Sequence, residues 1–199
     1  MEISIFFSIL IGTVFINNYV LSQVLGLCPF LGVSQRLDLA FGMGLAVIFV
    51  MTLASMFTFI VYKFILIKYG LIYLTTIAFI LIIASLVQLV EMIIEKFSPA
   101  LYHALGVFLP LIATNCVVLG VTLLNISSGF VQAEAGFLKS IVQAIGGGVG
   151  FTLALIIMAG IRERLEFADI PKNLKGLPIA FITTGLLALA FLGFTGMRV

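Results

Sequence analysis

The sequence runs to 199 residues, 63% of them hydrophobic and only 9% charged, with a formal net charge of +2 and a mean hydropathy of +1.34. A soluble domain carries about 25% charged residues, so this chain lacks the polar surface that water requires and reads as an integral membrane protein. The small net charge, without a basic run or basic residues interleaved with aromatic ones, excludes nucleic acid as a partner.

Six apolar segments follow one another at 3–25, 39–62, 70–94, 104–124, 140–161 and 177–197, and all ten Lys and Arg residues fall outside them. Each segment has about the 20 residues that a helix needs to cross the hydrocarbon core of a bilayer. The predicted fold class is therefore an all-α membrane protein, with six transmembrane helices in a single membrane domain. The first segment starts at Ile3 without a basic region before it and reaches Leu25, too long for the apolar core of a cleavable signal. Asn17 and Asn18 lie in it, and Cys28-Pro29-Phe30-Leu31-Gly32-Val33 follows. The second opens at Asp38, a boundary residue, and carries Gly42-Met43-Gly44. The third holds Gln88 and Glu91 near its end, a turn before Glu95 and Lys96. Glu91 is the only carboxylate within an apolar segment. An intramembrane ionisable group is expensive and suggests function by default, which makes Glu91 a candidate for ion coupling, against the plainer reading of a helix-end carboxylate reaching the interface.

The fourth segment contains Thr114-Asn115-Cys116-Val117-Val118-Leu119-Gly120-Val121. Its C-x-x-L-G-V pattern repeats that of residues 28–33, and these are the only two cysteines in the chain. A polar stretch from Asn125 to Lys139 precedes the fifth segment, whose Gly146-Gly147-Gly148-Val149-Gly150 run lacks the Lys-Ser/Thr of a phosphate loop and suits close helix packing instead. Arg162-Glu163-Arg164-Leu165-Glu166 closes that segment, either as a charged stop or as a face toward a neighbouring protein of the same assembly. His103 has no second histidine to complete a metal site.

Two further echoes keep the same order as the cysteines. Gly42-Met43-Gly44 and its apolar run match Gly148-Val149-Gly150, and Ile77-Ala78-Phe79-Ile80 recurs as Ile179-Ala180-Phe181-Ile182. The chain thus reads as two copies of a unit of about a hundred residues, 1–99 and 100–199, with an insertion in the second. Three spans per copy is an odd number, so the copies run through the membrane in opposite senses. Inverted repeats gather their sites near the midplane, at the repeat interface. Gly26, Pro29 and Gly32 surround one cysteine, and Gly106, Pro110 and Gly120 the other, which predicts that spans 1 and 4 are interrupted helices. The loops after spans 1, 3 and 5 hold six Lys and Arg residues against four on the opposite side, so both termini are expected outside.

A buried free cysteine is ordinarily a small apolar residue. These two stand at equivalent places in a duplication, and paired thiolates suit an iron–sulfur cluster. A two-iron cluster needs four ligands, so a second chain would supply the rest; a disulfide is the other option.

Several longer stretches carry a resemblance. Asn17 to Ser22, Cys28 to Ser34, Ala84 to Met92, Ser98 to Tyr102, Ala104 to Cys116, Ala159 to Glu166 and Ala168 to Pro171 resemble the RnfA/NqrE family of integral membrane subunits, and the likeness covers essentially the whole chain. Cys28 to Ser34, with Pro29 and Gly32, is more similar to the RnfA branch than to the NqrE branch. The resemblance implies a subunit of an ion-translocating Rnf-type oxidoreductase in a bacterial inner membrane. Such a complex passes electrons from ferredoxin to NAD and couples them to Na⁺ or H⁺ transport. It implies a homologous RnfE-type partner of opposite topology, further subunits of B, C, D and G types, and a shared [2Fe–2S] cluster to which Cys28 and Cys116 give two ligands. Gly32, Asn115 and Gly120 are then the expected cluster environment. The alternatives are an NqrE-type role in a Na⁺-translocating NADH:quinone reductase, and a metal-free secondary transporter.

Overall fold

Backbone polar groups in hydrocarbon must bond to one another, and long apolar runs satisfy that demand as helices. The computed structural model describes residues 2–97, 111–112, 114–130, 136–169, 171 and 174–194, and among them it holds helices and turns with no strand. In chain order the main helices are α1 (Glu2–Ile11, prolonged by a π turn over Gly12–Ile16), α2 (Leu27–Val33), α3 (Leu37–Val61), α4 (Thr75–Phe97), α5 (Cys116–Ser127), α6 (Gly136–Glu166) and α7 (Leu177–Leu192). Three helical runs are long and apolar enough to cross a membrane, Leu37–Tyr69, Ile72–Ile93 and Gly136–Glu166. Three shorter apolar helices accompany them, Phe6–Ile16, Cys116–Ser127 and Leu177–Leu192.

The second span outruns its predicted limit at residue 62. Helix continues past Lys63 and Lys68 to Tyr69, and Gly70 at φ +67° turns the chain back toward α4. Left-handed backbone of this kind suits glycine. Asp38 stands in the first turn of α3, where the helix dipole favours an acid. Pro178 lies in the first turn of α7, where its missing N–H leaves no helical bond unmade.

The first span is interrupted; its break ends at Gly26, as suggested, but does not reach Pro29 and Gly32. Helix stops at Ile16, residues 17–26 are irregular, and α2 begins at Leu27. Pro29 and Gly32 lie within α2. Pro29 falls in its first turn, where proline is tolerated. Asn18 makes the break possible. Its Nδ2 donates to the carbonyls of Val14 (3.2 Å) and Gly150 (2.9 Å), and its Oδ1 accepts from the Val20 N–H (3.1 Å). The Leu25 N–H returns to the Tyr19 carbonyl at 3.0 Å. A buried amide thus takes over backbone groups that water cannot reach.

In the second half, residues 111–112 are helical, Thr114 and Asn115 form a turn, and α5 starts at Cys116. Gly106 and Pro110, singled out as breakers, lie outside the described residues, as does His103. Gly120 is helical, so it is not a breaker either. The polar stretch read as an insertion is partly helical, since α5 runs to Ser127 and α6 starts at Gly136.

The two glycine motifs meet across the centre. Helices α3 and α6 form the most extensive pair in the structure, and glycine lets their axes close in. A Cβ on Gly44 would stand 2.4 Å from Thr152 Cγ2, and one on Gly148 2.7 Å from Ile48 Cγ1. Gly146, Gly147 and Gly150 receive Thr13, Tyr19 and Asn18 from the first span on another face of α6. Around this contact Met43, Val47, Met51 and Ala54 pack with Phe151, Leu155 and Met158, all fully buried. The glycine run is a packing device, as read from the sequence.

Candidate functional site

Each cysteine sits at the start of the helical segment that follows a break. Cys28 lies in the first turn of α2 and Cys116 opens α5. Both thiols are free and both are exposed on the chain's surface, although the sequence around them is apolar.

The two breaks touch. The Gly26 N–H donates to Cys116 Sγ at 2.9 Å, so the residue that caps α2 also holds the sulfur of α5. Gly26 can do this because φ is +76° and because it has no Cβ, which would stand 2.5 Å from Val117 Cγ2 and 3.0 Å from Asn115 Oδ1. Leu25 packs against Gly120, where a Cβ would come within 2.7 Å of Leu25 Cδ1. Gly120 is therefore a landing site for the first break. Asn115 caps α5, its Oδ1 accepting from the Val117 N–H at 3.1 Å. Its Nδ2 is buried with no partner among the described residues. Cys116 stands at the positive end of the α5 dipole.

The resemblance implied Gly32, Asn115 and Gly120 as the cluster's surroundings. Asn115 and Gly120 lie around Cys116, and Gly32 lies one turn beyond Cys28 on α2. The donor to sulfur is Gly26, which the sequence marked only as a breaker. Asn18, which holds the first break together, stood out in the sequence without a role. Its signal was available: an amide in an apolar run must find partners.

The far end of α2 is tied to α6. Arg162 Nη1 donates to the Leu31 carbonyl at 2.7 Å and to Ser34 Oγ at 3.0 Å. A guanidinium at a helix C-terminus satisfies an orphan carbonyl and opposes the dipole. The charged run at 162–166 is thus more than a stop, since its first member anchors the helix that carries Cys28. An open cleft of about 720 Å³ lies beside it, with Arg36, Arg162, Glu166 and Lys175 in its walls. Arg162→Ala should destabilise the chain by about 2–3 kcal/mol, the scale of lost charge-assisted hydrogen bonds, and Arg162→Lys should recover part of that. Melting of the detergent-solubilised protein measures it; unchanged melting of Arg162→Ala would show that the anchor carries no stability.

Glu91 lies on α4, half-buried, with Gln88, Glu95 and Lys96 exposed. Among the described residues no group of three or more His, Cys, Asp or Glu side chains converges. Two thiols are half of what a two-iron cluster takes. The set fits such a group in kind, with thiol ligands open to a neighbour, an N–H already on one sulfur, and an unpartnered buried amide N–H beside it.

Comparison with known proteins follows this geometry. The family model described as "Rnf-Nqr subunit, membrane protein" matches residues 6–198. The A-type subunit of the Na(+)-translocating ferredoxin:NAD(+) oxidoreductase complex of Acetobacterium woodii is 60% identical over 190 residues, 96% of each chain. Its counterpart in the ion-translocating oxidoreductase complex of Syntrophotalea carbinolica is 57% identical over 189 residues, 95% of each chain. The counterpart in the proton-translocating ferredoxin:NAD(+) oxidoreductase complex of Clostridium ljungdahlii is 53% identical over 192 residues, 96% of this chain and 97% of that one.

Proposed function

The chain belongs to the Rnf-Nqr family of membrane subunits, and from that membership we propose that it is the A-type subunit of an ion-translocating ferredoxin:NAD⁺ oxidoreductase. In this reading Cys28 and Cys116 supply two of four ligands to a [2Fe–2S] cluster, and a homologous RnfE-type subunit supplies the others. Subunits of B, C, D and G types complete the assembly in a bacterial inner membrane. The observation that carries the reading is the pair of free, surface-open thiols at the two breaks, joined through the Gly26 N–H on Cys116 Sγ. The names of the relatives favour ferredoxin:NAD⁺ chemistry over the quinone-reductase alternative.

When bound, the cluster supplies a one-electron carrier within the membrane. The chain's own part is to hold two sulfurs at fixed helix starts and to donate to one of them from Gly26. N–H donors to sulfur tune such centres. Asn115 Nδ2, buried without a partner, offers a second donor. The six-span inverted repeat is the architecture we adopt, with both termini outside. Its supports are the interrupted first span, the turn before Cys116, and the α3–α6 contact through equivalent glycine motifs. Iron analysis and EPR of this chain co-purified with its partner test the function: two irons and a reducible [2Fe–2S] signal are expected, and an iron-free pair would leave the secondary-transporter alternative.

Glu91 is the ion-coupling candidate within this reading. Glu91→Gln keeps the shape and removes the ionisable group, so electron transfer should persist while ions moved per electron fall near zero. Ion flux against NADH formed, in reconstituted vesicles, gives the ratio, and an unchanged ratio would make Glu91 an interface residue.

A further inference from the structure

Far from the thiols, α3, α4, α5 and α6 enclose a small polar cavity. Ser55, Thr58, Thr122, Asn125 and Ser140 line it with Phe59, Phe79 and Ile126, and its volume is about 10 Å³, room for one water-sized sphere or something smaller. All five polar side chains are at least nine-tenths buried. Asn125 lies nine residues along α5 from Cys116, about 14 Å at a helical rise. Glu91 lies twelve residues along α4 from Phe79, about 18 Å away toward the other end of that helix.

The cavity's chemistry is one-sided. Thr58 donates its hydroxyl proton to the Ala54 carbonyl at 2.6 Å, and Thr122 donates to the Leu119 carbonyl at 2.8 Å, which leaves both oxygens as acceptors. Ser55 Oγ is hydrogen-bonded to Ser140 Oγ at 2.7 Å and donates to the Ser140 carbonyl at 3.2 Å when Ser140 is the donor of that pair, and Asn125 Nδ2 donates to Ser55 Oγ at 2.8 Å. Asn125 Oδ1 is buried with no partner among the described residues. A buried carbonyl without a partner is costly. The unmet demand is for a positive charge or a proton donor.

We propose that this cavity is a binding site for a dehydrated alkali cation, Na⁺ in size, held by Asn125 Oδ1 with the oxygens of Ser55, Thr58, Thr122 and Ser140. Hard cations take oxygen ligands, and the absence of any carboxylate in the lining disfavours a divalent ion, whose charge such ligands normally balance. Ser127, Ser128 and Gly129 are exposed at the end of α5, within a turn or so of Asn125. The proposal rests on the reading of the chain as part of an ion-translocating complex, and it adds a site apart from both cysteines and Glu91.

The test is Na⁺-dependent stabilisation of the purified whole complex, by melting at constant ionic strength with N-methylglucamine as the replacing cation, alongside ²²Na⁺ binding. Na⁺ should raise the melting temperature of the wild type. Asn125→Leu should weaken the apparent Na⁺ affinity on the order of tenfold or more, the effect of one lost ligand to a charge. Thr122→Val, which keeps the helix and the volume, should weaken it less, and Thr122→Ser should restore it; these variants decide the matter if Asn125→Leu fails to assemble. A wild type indifferent to Na⁺, or Thr122→Val and Asn125→Leu complexes that bind it as tightly as wild type, would mean that the cavity holds an enclosed water only. EPR on the same samples keeps the outcomes apart, because the thiol site can stand while the cation site falls, and the reverse.

Discussion

Replacing Cys116 with serine should abolish electron transfer through the complex while the chain still inserts and assembles. Serine offers a neutral hydroxyl where a thiolate ligand is needed, so one of the four cluster ligands is lost. The fold has little reason to fail. Serine Oγ still accepts the Gly26 N–H that Cys116 Sγ accepts at 2.9 Å, and the residue lies on the chain's surface, where substitutions change stability by about 0.5 kcal/mol or less. Iron content and the EPR signal should fall together, with the amount of protein in the membrane unchanged. Wild-type iron and EPR in Cys116→Ser would sink the assignment of Cys116 as a ligand.

Gly26→Ala should destabilise the fold strongly. At φ +76° a side chain costs about 1–2 kcal/mol, and its Cβ would stand 2.5 Å from Val117 Cγ2 and 3.1 Å from Phe151 Cε2. Overpacking of this kind adds roughly 1–3 kcal/mol, so a total loss of about 2–5 kcal/mol is expected. The strain falls on the contact that brings the Gly26 N–H to the Cys116 sulfur, so the potential of the centre should shift as well. Gly70→Ala is the control. Its φ of +67° carries the same backbone penalty, but nothing lies within 4 Å of the added Cβ. Equal melting losses in the two variants would mean that the closure between the breaks contributes nothing.

Membrane residence and helix type were legible because each depends on local chemistry. An apolar run of about 20 residues can only be a buried helix, and an only pair of cysteines at repeated positions stands out without coordinates. The glycine run was legible too, because small residues in apolar helices have few other uses. Helix breaks were harder. Proline and glycine marked the neighbourhood, yet Pro29 is harmless in a first turn, and the interruption runs instead from Asn17 to Gly26.

The sequence by itself determined that this chain lives in a bilayer and is built of helices, and it singled out Cys28 and Cys116 as candidates. Tertiary structure alone decided where the first span breaks, that the Gly26 N–H donates to the Cys116 sulfur, that Arg162 anchors the Cys28 helix, and that Asn125 faces a cavity. The reason is physical: in hydrocarbon every freed N–H or C=O must find a partner, and such partners lie far away in sequence. Asn18 bonds to Gly150, Gly26 to Cys116 and Arg162 to Leu31; no local pattern contains those pairings.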